Sequence, residues 1–150
     1  MRISLDRSKR SRWPVQIAGP VLYPWGTTLR LPSPVPEFPV SDLQASSAFY
    51  ERQMGFRIDW TYENELAGIS KDATRIFLRR RTPQEEERGY KVRVWLNLSS
   101  ALEVDQLYEE WRGNGVQVVE ELKTWDLREF TVQDPDGNRF RVFYDMGPSR

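Results

Sequence analysis

The sequence predicts an α+β fold of two tandem βαβββ modules, whose strands form a curled mixed sheet with the helices on its outer face. Three observations carry that expectation. Two helix starts share the capping form, Ser41-Asp-Leu-Gln44 and Ser100-Ala-Leu-Glu103. The helices share a text, since Phe49-Tyr50-Glu51 recurs as Leu107-Tyr108-Glu109, 58 positions later. Each helix is followed by three short strand-like runs, and Asp72 and Asp134, 62 positions apart, precede the last run of each set. Repetition at a fixed offset signals repeated supersecondary units.

Taken in order, residues 1–34 stand apart. They hold five prolines, Trp13, Tyr23, Trp25 and a basic tip, without clean periodicity. The segment reads as an arm that lies on the body or on a partner subunit. A strand over 35–40 then leads into the helix "SDLQASSAFYERQMGF", which Gly55 ends. Strands over 56–62, 66–70 and 74–80 complete module one, 35–81. "TPQEEERGY", 82–90, reads as a polar, solvated linker. Module two, 91–145, opens with a strand over 92–98. Its helix, "SALEVDQLYEEWRGNGV", carries Val104, Leu107, Tyr108 and Trp111 at the i, i+3, i+4, i+7 spacing of a buried stripe. Strands over 116–120, 128–133 and 139–144 follow. The last two flank Asp134-Pro-Asp-Gly-Asn138, where proline and glycine supply the backbone angles of a tight turn. Asp134 and Asp136 read as turn formers.

Composition excludes much. The 150 residues contain no histidine and no cysteine. Cys/His zinc sites and histidine-activated nucleophiles are therefore impossible. Any metal would need an all-oxygen site. The 22 basic and 22 acidic residues balance, so no overall field argues for nucleic acid or a membrane surface. No apolar run reaches membrane-spanning length. The N-terminus lacks the apolar core of a secretory signal, and a cytoplasmic location is the default expectation.

"VPEFPVSDLQASSAFYERQMGF" resembles the opening module of the glyoxalase / bleomycin resistance / extradiol dioxygenase superfamily, and "REFTVQDPDGNRFRVF" resembles its closing hairpin. The likeness covers about residues 35–145 and is nearest to the bleomycin-resistance branch. It implies a homodimer with ligand cups between modules or subunits. Enzymes of the superfamily hold a divalent metal with one ligand on each of four strands. The resemblance puts the first of these positions at Val35 and the last at Arg141; the internal offsets carry them to Arg93 and Arg79. None of the four ligates a cation. The resistance-type branch likewise lacks the metal.

What remains for a cup is aromatic and basic. Phe38, Trp60, Tyr62, Trp95 and Trp125 are the candidate rings, with Phe56, Ile58, Trp60 and Tyr62 alternating along one strand. Arg79, Arg93 and Arg141 suit a carboxylate or phosphate, unless cross-strand glutamates occupy them. Asp59, Glu63 and Glu65 form an acidic cluster that suits a cationic ligand or a solvated edge. The reading is a metal-independent, cofactor-free small-molecule binding protein of the resistance type. It would sequester an aromatic or glycopeptide-like compound in a dimeric cup. The alternative is an enzyme of the same superfamily with a degenerate metal site.

Overall fold

The computed structural model describes residues 30–148. Contacts divide the chain into a unit Met1–Pro34 and a unit Val35–Arg150. Trp13, Tyr23 and Trp25 of the expected arm lie outside the described residues.

Module one runs β1 (Glu37–Val40), α1 (Leu43–Arg52), β2 (Arg57–Tyr62), β3 (Leu66–Lys71) and β4 (Thr74–Arg80). After a short helix α2 (Pro83–Arg88), module two repeats the order with β5 (Arg93–Asn97), α3 (Ala101–Gly113), β6 (Gln117–Thr124), β7 (Leu127–Gln133) and β8 (Arg139–Asp145). Each module forms its own four-stranded sheet, in the orders β1-β4-β3-β2 and β5-β8-β7-β6. The first strand of each pairs parallel with the last, and the other neighbours are antiparallel. No described helix is long and apolar enough to cross a membrane.

Three local expectations are corrected. The first helix is capped by Asp42, whose carboxylate accepts from the Ala45 N–H at 3.0 Å. Ser41 instead donates its N–H and its hydroxyl to Asp136 Oδ1, at 3.0 and 2.7 Å. The supposed linker contains α2, held by a complete capping box between Thr82 and Glu85, with Pro83 in its first turn and Gly89 left-handed at its end. Finally, β2 carries a bulge. Ile58 pairs with Ile69 and Trp60 with the adjacent Gly68, so Asp59 is the extra residue. Ile58 therefore packs against the core, while Trp60 turns to the opposite face. The common face expected for Phe56, Ile58, Trp60 and Tyr62 does not exist.

One core serves both modules. Phe38 of β1 meets Phe140 of β8 at 5.3 Å between ring centres, and Tyr50 of α1 meets the same ring at 6.1 Å. Trp111 of α3 packs on Phe130 and Phe140 and donates its indole N–H to the Met54 carbonyl at 3.0 Å. The Asp134–Asn138 turn fastens the seam. Asp134 Oδ1 accepts from the N–H groups of Asp136 and Asn138, while Oδ2 accepts from Tyr50 Oη at 2.8 Å and from Asn138 Nδ2. The Asn138 amide also donates to the Pro39 carbonyl at 2.9 Å. Asp134 and Asp136 are thus turn formers, and Asp134 also bridges the modules. Burial pushes the Asp134 carboxyl up despite these donors, and burial with Asp134 beside it pushes the Tyr50 phenol well up.

Candidate functional site

Strand alternation decides which side chains leave the core. On β4, Ile76 and Leu78 are buried, which turns Arg75, Phe77 and Arg79 to the other face of the sheet. On β8, Phe140 and Val142 are buried, which turns out Arg139, Arg141 and Phe143. Beside them on β5, Arg93, Trp95 and Asn97 are exposed, while Val94 and Leu96 pack inward. Each module therefore presents an open sheet face. Among the described residues, no hydrogen bond, ion pair or ring contact joins one open face to the other.

The face of module two is organised around Glu129 of β7. Its side chain is 1% exposed, an unusual burial for a carboxylate. Arg141 Nε and Nη2 grip its two oxygens at 2.8 Å each, the bidentate arrangement that suits guanidinium and carboxylate. The Trp125 indole N–H adds a bond at 2.9 Å, and Lys123 Nζ approaches to 3.4 Å. Burial pushes the Glu129 carboxyl up, but the donors from Arg141 and Trp125 outweigh it and hold the pKa below its ordinary value. The glutamate is therefore ionised and fully occupied, and it suits holding better than proton transfer. Arg141 lies over the Trp95 ring at 4.3 Å, and Trp95 meets Phe143 edge-on at 5.5 Å. Trp95 and Trp125 nevertheless remain 52% and 53% exposed. The result is a shelf of two half-exposed indoles beside a neutralised arginine.

Module one presents a groove of about 470 Å³ lined by residues that include Arg57, Asp59, Trp60, Gly68, Arg75 and Phe77. Trp60 leans on Phe77 and sits close against Gly68. A Cβ at position 68 would sit 2.4 Å from the indole, so only glycine permits that approach. Arg79, the counterpart of Arg141, is held by Glu37 of β1 and by both oxygens of Glu85, which α2 places over it.

The expected site residues thus separate. Trp60, Trp95, Trp125, Arg79 and Arg141 lie on the open faces. Tyr62 ends β2, 60% exposed, opposite Leu66. Phe38 is corrected: it is wholly buried against Tyr50 and Phe140, because β1 turns it to the core side, and it has no surface to offer a ligand. Arg93 is exposed and has no hydrogen bond or ion pair among the described residues. The acidic cluster is dispersed: Asp59 pairs with Arg57 at 2.7 Å, Glu65 pairs with Arg80, and Glu63 sits in the β2–β3 turn at positive φ. Glu129 as the centre of a site was missed. Its signal was the position opposite an arginine-bearing strand, two residues from Thr131, which pairs with Arg141. Gly68, Lys123 and Arg139 carried no distinctive signal.

The four-strand metal arrangement does not fit these residues. Arg79 and Arg141 put guanidinium groups where ligand oxygens would be needed, and the carboxylates beside them already serve those cations. No group of three or more potential ligands converges among the described residues.

The chain matches the model of the Glyoxalase/Bleomycin resistance protein/Dioxygenase superfamily over residues 34–142. It belongs to that superfamily. Among solved structures, it resembles a glyoxalase/bleomycin resistance protein/dioxygenase from Nocardioides, with TM-score 0.62, 22% identity, and coverage of 82% of this chain and 91% of the other. It also resembles the bleomycin-binding protein of bleomycin-producing Streptomyces verticillus in complex with copper(II)-bleomycin, with TM-score 0.61, 20% identity and coverage of 82% and 100%. A lactoylglutathione lyase from Agrobacterium tumefaciens follows at TM-score 0.59, 19% identity and coverage of 77% and 95%. Identities this low speak to the fold, and the fold hosts both binders and enzymes. No curated protein matches the chain by sequence.

Proposed function

We propose that this superfamily member is a metal-independent small-molecule binding protein. It holds an aromatic compound on its exposed indoles, in cups that a second copy of the chain completes. The observation that carries this reading is the shelf formed by Trp95 and Trp125 on the Arg141–Glu129 pair. Its polar groups already satisfy one another, so the surface left to a ligand is flat and aromatic. Each module presents an open sheet face, and symmetric pairing is the simplest way to close such faces. The Streptomyces verticillus structure, a bleomycin-binding protein on the same fold, supports the class.

The test is titration of the tryptophan fluorescence with bleomycin and with simple aromatic compounds, on protein analysed for metal and for oligomeric state. The reading expects saturable quenching at one ligand per cup, a dimer, and ligand recovered unchanged. Bound metal at one per chain, or turnover on addition of manganese, would overturn it in favour of an enzyme.

A further inference from the structure

The three arginines of the module-two face are not equivalent. Arg141 is paired with Glu129 and lies over Trp95. Arg93 and Arg139 lie directly opposite each other in the parallel β5–β8 pair, on the same open face. Neither side chain has a hydrogen bond or ion pair among the described residues. The rest of that row is neutral: Gln133 faces Arg139, and its amide is taken by Gln117 at 2.8 Å. Residues 1–29 contain a single side-chain carboxylate, Asp6. Two like charges placed opposite each other without a counter-ion destabilise a sheet, and a ligand that brings a negative charge removes that cost.

We infer that Arg93 and Arg139 form an anion subsite beside the Trp95 shelf, and that the ligand is an aromatic acid rather than a cationic glycopeptide. The inference rests on the binding reading above and narrows it. Strand geometry sets the ligand's dimensions. Residues 93 and 95, like 139 and 141, are two apart on one strand, which puts the anion about 7 Å from the stacked ring. A second ring or a short linker spans that distance. Two arginine forks suit either a carboxylate or a phosphate ester.

The test compares biphenyl-4-carboxylate, its phosphate-ester analogue and biphenyl-4-carboxamide by calorimetry at low and high salt. An anionic probe should bind on the order of tenfold more tightly than the amide at low salt, and the advantage should shrink as salt rises. The anion preferred, carboxylate or phosphate, identifies the natural group. In the Arg93→Gln/Arg139→Gln double variant the preference should vanish while affinity for the amide persists. That variant should melt no lower than the parent, because repulsion is removed. Equal binding of acid and amide, or a preference that survives in the double variant, overturns the subsite and leaves the aromatic reading intact. A lower melting temperature for the double variant also overturns it, since the arginines would then have structural partners. Failure of all three probes to bind overturns the aromatic reading itself.

Discussion

Replacing Glu129 by glutamine tests the centre of the module-two face. Four donor atoms converge on the carboxylate: Arg141 Nε and Nη2 at 2.8 Å, Trp125 Nε1 at 2.9 Å and Lys123 Nζ at 3.4 Å. The amide keeps one acceptor oxygen and turns an NH2 group toward cations. Breaking a buried ion pair from one side costs about 3–5 kcal/mol. Arg141 retains partial exposure and the face of Trp95, which places the loss near the lower end, about 3 kcal/mol. In a chain of this size that lowers the melting temperature by roughly 6–12 °C. The pH dependence has a definite sign. The folded pKa of Glu129 is depressed, so its contribution is complete above the unfolded glutamate value of about 4.3 and is lost as pH falls through the folded value. Thermal unfolding followed by circular dichroism should show a wide gap between parent and Glu129→Gln at pH 7 that closes below about pH 4. The Glu129→Gln/Arg141→Met variant should recover most of the loss, because no charge is left alone. A neutral-pH gap under about 2 °C would refute the reasoning, since the pair would then hold nothing together.

Other outcomes follow from single contacts. Gly68→Ala should expel Trp60 from its seat and shift its emission to the red, at a stability cost of about 1 kcal/mol because the half-exposed ring can swing out; unchanged emission would disprove the stacking. Thr82→Ala removes the α2 cap and should cost about 1 kcal/mol in urea unfolding, whereas a neutral result would mean α2 is held by Arg79 and Arg81 instead. Tyr50→Phe should cost about 1–2 kcal/mol by removing the buried bond to Asp134. It also deprives the ionised Asp134 of a donor, so the carboxyl should titrate at a higher pH by NMR. Raising that already raised pKa penalises the ionised form, so the stability lost should be smaller in acid than at pH 7.

Periodicity and capping located both long helices and all eight strands, because those signals are local. The places where they misled are those where a neighbour overrides local pattern. Ser41 has the better-spelled cap, but Asp136, 95 positions away, takes its donors. A single extra residue, Asp59, reverses the strand face beyond it, and no local feature marks the insertion. The α2 helix was legible: Thr82-Pro83-Gln84-Glu85 has the same capping form as the other helix starts, outweighed by the polarity of its neighbours. The site divides similarly. The resemblance to the superfamily assigns arginines to three of its four metal positions, 79, 93 and 141. Whether each is free or satisfied is a matter of which carboxylate the folded sheet brings opposite: Glu37 and Glu85 for Arg79, Glu129 for Arg141, none described for Arg93.

The turn that fastens the modules also orders events in time. Asn138 bonds the Pro39 carbonyl across 99 positions, and Asp134 bonds Tyr50 across 84. Links this distant carry a large loop-closure entropy that must be met before their contacts reward it. During synthesis, module one must emerge with Phe38 and Tyr50 uncovered until Phe140 arrives. The two halves repeat one order of elements but share a core, and a chain stopped before residue 138 lacks both the Phe140 ring and the Asn138–Pro39 bond that cover its first half.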